Sequence, residues 1–292
     1  MSSIAEIRHH IKVVRDTSKI TKAMYLISSA KMKKAMRMHD QNQLYFTRVR
    51  SDIRFIMDNI GQSIRNPYYR QHGKKTGYVV IAGDKGLCGG YNSEVLKLAR
   101  RTIQDGIHEQ RCLFTIGHVA SEYFMRLGMN PDVNFLHVVQ DPSLQNARHI
   151  TLTLCKLFRD KELDEVYVIY TVLEKVGQLK PTVLHLLPVL KEDFHDAPIL
   201  HAPTSPLTFH PSAAEVLDAM VPHYLVGLVY SALVQSYASE HSARMSAMDA
   251  ATRNADEMLG RLSLQFNHAR QAIITQEISE IISGSPDQGA IS

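Results

Sequence analysis

The sequence predicts an α/β protein in which a long antiparallel coiled coil of the N- and C-terminal helices carries an inserted open α/β domain. Three observations lead there. Residues 1–60 contain neither glycine nor proline, the first of each being Gly61 and Pro67. The run from Tyr224 to Ser283 has no proline and only Gly227 and Gly260 as weak points. Between these runs, short apolar segments alternate with amphipathic ones, the pattern of strands and helices in an open sheet. At 1.5 Å per residue the last run would form a rod of roughly 90 Å. A helix of that length needs a partner along it, because helices in water are held mainly by the packing of one face.

The first run supplies that partner. Ile4, Ile7, Ile11, Val14, Ser18, Thr21, Tyr25, Ser28, Met32 and Ala35 alternate spacings of three and four, which keeps them on one seam. The seam is apolar to Val14 and then turns small or polar, unlike an autonomous zipper. On the last run Ala243, Ala247, Ala250 and Ala251 are small, and Leu259, Leu262, Phe266, Ala269 and Ile273 continue a seam. Small residues let two backbones approach closely. The alternative is an ordinary bundle, which would require further helices of matching length, and the sequence offers none. Pro222 is expected to kink the last helix or to mark where its straight part begins.

The middle reads as alternating elements. Gly77–Ala82 is a short apolar strand, followed by the glycine-rich turn Gly83–Gly90, with Asn92 and Ser93 as candidate caps of a helix ending near Arg101. Strands are expected at Arg111–Ile116, Asn134–Val139, Glu165–Val172 and Thr182–Leu190. Helices are expected around His118–Leu127 and Leu144–Lys161. Residues 192–211, with four prolines, form the connection to the last helix. The organisation expected is a first helix over 1–60, an α/β domain over 77–195, a last helix over 210–284 and a flexible tail over 285–292.

Composition excludes several classes. The chain has 292 residues, is 45% hydrophobic and 21% charged, and contains no stretch of 18 consecutive apolar residues or signal-peptide core. A soluble protein without a signal peptide is expected. Three scattered cysteines, Cys88, Cys112 and Cys155, suit neither disulfides nor a zinc site and fit a reducing cytoplasm. The net charge of +4 is unevenly spread. Residues 8–37 hold nine Lys/Arg (Arg8, Lys12, Arg15, Lys19, Lys22, Lys31, Lys33, Lys34, Arg37) against Asp16 alone, whereas residues 240–283 hold four Arg against six Asp/Glu. A one-sided basic helix suits an acidic partner, although a solvated face is the commoner fate of such a run. Aromatic residues are not interleaved with it, which disfavours nucleic acid.

Chemistry is hard to find. Gly83, Gly86, Gly89 and Gly90 give GxxGxxGG, neither a dinucleotide fingerprint nor a P-loop. Backbone amides there could hold an anion, but Gly86, Cys88, Gly89 and Gly90 read better as a tight structural turn that lets neighbours pack closely. Cys88 has no histidine or acid nearby in sequence and reads as a small buried hydrophobe. His9 and His10 point to different sides of a helix, and the other histidines lack an i, i+4 partner ligand. No catalytic constellation, metal, cofactor or small-molecule substrate is expected.

Four blocks resemble a known family. Glu6-Ile7-Arg8, Thr17–Met24 and Ser29–Lys34 stand where the gamma subunits of F-type ATP synthases have their first-helix signature. Asp84–Asn92 is similar to that family's D-[RK]-G-L-C-G-G-x-N turn, Lys180–Val183 with Leu186–Pro188 matches a further block, and Ala269–Gly284 matches its most specific motif. The resemblance implies a Rossmann-like middle domain at the foot of the coiled coil, and a non-catalytic rotor shaft coupling proton or sodium flow to ATP synthesis. The implied partners are the alpha and beta subunits of the catalytic hexamer, the epsilon subunit and the membrane proteolipid ring, at the cytoplasmic face of a bacterial plasma membrane. It also implies that Lys19, Lys22, Met24, Lys31 and Lys33 face acidic beta-subunit loops, and that Arg270, Gln271, Thr275, Gln276 and Glu280 catch a beta-subunit loop. Two other classes stay open: a helical-hairpin scaffold protein, and a nucleotide- or anion-binding α/β enzyme built on the middle domain. The cysteine-bearing insert of chloroplast relatives is absent, so no thiol switch is expected.

Overall fold

The computed structural model describes residues 4–60, 67–69, 75–106, 110–136, 138–198 and 209–283. The expected tail 285–292 and residues 199–208 of the connection lie outside them. Helix α1 spans Ile4–Ile60, and α5 spans Ala213–Ser283. Between them run β1 (Lys75–Ile81), α2 (Tyr91–Asp105), β2 (Gln110–Ile116), α3 (His118–Arg126), β3 (Val133–Phe135), α4 (Leu144–Arg159), β4 (Glu165–Lys175) and β5 (Gln178–Leu187). The chain divides into two compact units, residues 1–27 with 245–292, and residues 28–244.

In the first unit the two helices run antiparallel. Arg8 lies over the Phe266 ring at 5.6 Å, Ser18 donates to Asp256 at 3.2 Å, and the hydroxyls of Thr21 and Thr252 meet at 2.7 Å. Ile7 and Thr21 are buried, and Ile4, Ile11, Val14, Ser18 and Tyr25 are half-buried, so the expected seam is the observed one. On α5 the seam runs through Met248, Thr252, Ala255, Leu259, Leu262, Phe266 and Ala269. Two residues depart from expectation. Ala250 is exposed, and Ile273 is 44% exposed.

In the second unit the sheet order is β3-β2-β1-β4-β5, with β5 antiparallel to β4 and the other pairs parallel. Strand alternation sorts its two faces. Val79, Ile81, Phe114, Ile116, Val166 and Val168 pack with α4 and with α1 and α5 residues such as Ile53, Leu217 and Leu225. Tyr78, Val80, Leu113 and Ile169 pack on the other side with Val95, Ala99 and Ile103 of α2 and with Ala120 and Phe124 of α3. The helices α1 and α5 are antiparallel here too: His39 meets Gln235 at 3.1 Å, and Phe46 stacks on Tyr224 with ring centroids 5.3 Å apart.

Several expectations need correction. β3 is only three residues, and residues 138–140 form a turn. β5 ends at Leu187 and not at Leu190, and it starts earlier, in a hairpin with β4. Pro222 lies inside α5, which already begins at Ala213. Leu217, Val221 and Leu225 are fully buried around it, so core packing carries the helix past the missing amide. Gly227 is no weak point but a close approach, since a Cβ there would stand 2.8 Å from the Phe46 ring. One 18-residue window of α5 reaches a mean hydropathy of 1.4, of spanning length and composition. The buried face from Leu217 to Leu233 accounts for apolar residues of that helix by packing on the sheet and α1.

Ile7 is 7% exposed on the seam of the first unit. Ile7→Asp places an unpaired carboxylate there and is expected to cost this unit about 2–4 kcal/mol. Amide exchange should accelerate in 4–27 and 245–266 while the sheet keeps its protection. Unchanged exchange in these helices would mean that position 7 does not hold the pair together.

Candidate functional site

The glycine-rich turn after β1 is built by its own side chains. Asn92, expected as a helix cap, reaches back: its carbonyl accepts from Gly83 N–H at 2.8 Å, while its amide nitrogen donates to the Lys85 carbonyl at 3.2 Å and to Cys88 Sγ at 3.3 Å. The N-cap of α2 is Gly90, with no side-chain cap. Leu87 and Gly89 take positive φ, 61° and 55°, and Leu87 is left 66% exposed at the tip. Gly86 has open space where a Cβ would be, and its role in the turn lies in its backbone carbonyl, which accepts from Arg244. Asp84 closes the other side, accepting from His118 N–H at 3.0 Å and from Gln140 at 2.9 Å, which ties the turn to the start of α3. Cys88 is buried against Tyr91, Leu179 and Ala243, and burial pushes its thiol up, away from the thiolate a nucleophile needs.

This turn lies where an open α/β sheet holds its ligand. The chain leaves β1 toward β2 on one side and returns through α4 to β4 on the other, so the C-terminal ends of β1 and β4 flank the topological switch point. Here that crevice is occupied by α5. Ser239 donates to the carbonyl of Thr171 on β4 at 3.1 Å, and Ser242 accepts from Gly177 N–H in the β4–β5 turn at 3.1 Å. The Glu240 carboxyl group sits against Gly83 so closely that a Cβ on that glycine would stand 3.2 Å from it. Arg244 Nη2 bonds to Glu240 at 2.6 Å and to the Gly86 carbonyl at 3.1 Å. A carboxylate from the chain itself thus occupies the position that such folds offer to an anionic ligand.

Glu240, His241, Ser242 and Arg244 are all buried. Burial pushes the Glu240 carboxyl above the usual carboxylate range, and the guanidinium of Arg244 pulls it partly back. His241 is driven down to about 3, first by burial and then by the positive charges of Arg244 and Lys31. Arg244 Nη1 lies 3.4 Å from His241 Nδ1, which assigns Nδ1 as acceptor and the ring as neutral. The sequence reading missed the Glu240–Arg244 pair. Its signal was an acid and an arginine at i, i+4 within Ala238–Arg244, but only the fold shows that this stretch is buried.

The basic residues form surfaces on both units. In the first unit Arg8, Lys12, Arg15, Lys19 and Lys22 are all exposed and repeat at spacings of four and three along one flank of the seam. Lys19 pairs with Asp16 at 3.3 Å, a contact of little energetic weight at that exposure. Met24 is half-buried on the opposite flank, while Val13 and Ile20 leave that side apolar and exposed. Arg270, Gln271, Thr275, Gln276 and Glu280 are exposed on α5 beyond the end of the seam, where Gln276 donates to Glu280 at 2.9 Å. In the second unit Lys31 and Lys33 are exposed, Lys31 close enough to lower His241, and Lys34 reaches Asp141 at 3.4 Å. Among the described residues no group of three or more His, Cys, Asp or Glu is placed to hold a metal.

The comparisons bear on the whole chain. The family described as ATP synthase matches residues 3–286. An ATP synthase gamma chain of Ruminiclostridium cellulolyticum is 39% identical, covering 97% of this chain and 98% of the relative. A relative from Acetobacterium woodii, named as a sodium-ion-specific ATP synthase gamma chain, is 34% identical over 97% of this chain and 98% of its own length. Among solved structures, a chain of the Euglena gracilis mitochondrial ATP synthase in its OSCP/F1/c-ring assembly superposes with a TM-score of 0.64 at 16% identity, covering 99% of this chain and 98% of that one. At that identity it shows the fold alone.

The neutral, buried His241 gives a pH dependence with a definite sign. Its folded-state pKa of about 3 lies below the ordinary 6.5, so its contribution is full above 6.5 and is lost as the pH falls and the unfolded chain takes up the proton first. Glu240, shifted upward, acts in the opposite sense, and comparison with a His241→Gln variant cancels it. The stability difference between the protein and this variant should shrink by about 1.4 kcal/mol per pH unit between about pH 6 and pH 5. Denaturant unfolding across that range measures it. A pH-independent difference would place a charge on His241 in the native state.

Proposed function

We infer the role of this chain from its kinship: it belongs to the family of ATP synthase gamma chains, matched over residues 3–286 and at 39% identity to a relative over nearly its full length. The chain is the central shaft of an ATP synthase and carries no catalytic site of its own. The observation that supports this best is the antiparallel pairing of the two terminal helices, seen within each unit, in a chain whose switch-point crevice is filled by its own α5.

The nucleotide sites belong to the hexamer of alpha and beta subunits in which the shaft turns. The epsilon subunit and the membrane proteolipid ring complete the rotor, at the cytoplasmic face of a bacterial plasma membrane. Rotation acts by differential contact: the shaft presents different flanks to three copies of one partner, and each copy settles in the state its contact favours. Unequal flanks serve this purpose. The basic flank with Lys19 and Lys22, and Lys31 and Lys33 further along α1, suit acidic beta-subunit loops, and Met24 marks the other side. Arg270, Gln271, Thr275, Gln276 and Glu280, all exposed, offer polar groups to a beta-subunit loop. Exposed ion pairs of small individual worth suit a bearing that must release as readily as it binds.

Two experiments test this reading. Purified through a tag on this chain, the complex should contain about one copy per three beta subunits, the stoichiometry of one asymmetric shaft inside a three-fold ring. Recovery of the chain as a self-assembled oligomer without a nucleotide-binding hexamer would favour a scaffold. Second, Met24→Lys adds a charge whose pairing with an acidic loop depends on rotor angle, worth roughly 0.2–1 kcal/mol at a partly exposed site. A contact made at one angle deepens one well. Ion pumping should therefore fall more than ATP hydrolysis, and a beta-loop Glu→Lys change should partly restore it. An unchanged ratio would remove this part of α1 from the coupling path.

A further inference from the structure

Within the second unit, α5 does not merely lie on the sheet. Glu240 fills the switch-point crevice beside Gly83, and Arg244 Nη2 bonds at once to that carboxylate at 2.6 Å and to the Gly86 carbonyl at 3.1 Å. Gly86 immediately precedes Leu87, a branched residue held at φ 61° with 66% of its surface exposed. Such a conformation is disfavoured for a residue with a Cβ and persists only where its surroundings impose it. Asn92 holds the turn from the α2 side through Gly83, Lys85 and Cys88, and Arg244 holds it from α5 through the Gly86 carbonyl. The side chains of Glu240 and Arg244 are 8% and 10% exposed.

We propose that Glu240 and Arg244 act as a built-in ligand of the α/β crevice, and that Arg244 is the positioning residue that fixes the tip of the glycine-rich turn, Lys85 to Leu87, against the shaft helix. The sheet and the part of α5 up to Arg244 then move as one body, and the tip is presented at a set angle to whatever surrounds the shaft. This rests on the reading of the chain as a rotor shaft. The geometry separates two roles for Arg244. Neutralising Glu240 requires only a positive charge, which lysine supplies. Holding Glu240 and the Gly86 carbonyl together requires the guanidinium fork.

The test uses the full chain and two variants. Arg244→Lys keeps the charge and loses the fork. The double change Glu240→Gln with Arg244→Gln loses the fork without leaving a buried charge unpaired, and so avoids the destabilisation of a single deletion. Amide exchange of the 83–91 segment, read by mass spectrometry, should accelerate about tenfold or more in both variants, with β1 and β4 unchanged. In the assembled complex both should lower the ratio of ATP-driven ion pumping to hydrolysis. Native-like protection of 83–91 in both variants overturns the proposal, as does protection restored in full by Arg244→Lys, which would leave Arg244 only a neutralising role. A wild-type chain unable to enter the complex would overturn the rotor reading instead, and the exchange of 83–91 still decides the role of Arg244.

Discussion

Everything in this protein depends on the pairing of its first helix with its last. The helices meet through small and polar side chains, Ser18 with Asp256 and Thr21 with Thr252 in one unit, and Ala35 with Val234 and Ala238 in the other. Where a large side chain of one helix lies against the backbone of the other a glycine is required, as at Gly227 beneath the Phe46 ring. Helices this long are not self-supporting in water. Their pairing supplies the packing that holds them, and the sheet is docked on the same pair: Ile53 and Ile56 of α1 and Leu217, Val221 and Leu225 of α5 belong to the core beneath β1, β2 and β4.

The α/β domain shows how a fold can be kept while its usual employment is withdrawn. Strand order, the glycine-rich turn and the switch point are those of a ligand-binding sheet. The crevice nevertheless closes on residues of the same chain, with a carboxylate and a guanidinium in the place of ligand and counter-charge. Fold alone would have argued for a nucleotide enzyme, and the side chains of α5 decide against it.

The seam of α1 could be read from sequence because period is a physical property of one strand of text: Ile7, Thr21, Ser28, Met32 and Ala35 are buried where the heptad places them. The strands were legible for the same reason, with boundaries displaced by a few residues. The failures have a common cause. Asn92 looked like a cap because local offset favoured it, but its hydrogen bonds run back to Gly83 and Lys85. The missing amide of Pro222 is a local cost, repaid by buried neighbours that local sequence does not reveal. Glu240 and Arg244 form no pattern that stands out locally, since nothing within four residues says that a turn 158 positions away will cover them. The surfaces implied by family resemblance, Lys19, Lys22, Lys31 and Lys33 with the half-buried Met24, and Arg270, Gln271, Thr275, Gln276 and Glu280, are side chains whose meaning lies in a partner.

The pairing of chain ends also sets an order of events during synthesis. The seam of α1 emerges from the ribosome long before its partner residues Met248 to Ala269. At about 5–20 residues per second, α1 spends roughly 10–50 s with its apolar stripe uncovered. The sheet, closed by β5 at Leu187, has all its strands before α5 exists. The nascent chain therefore presents paired strands and an amphipathic helix that both lack the α5 half of their core, the state in which a holdase chaperone is most useful and in which two nascent copies could exchange helices.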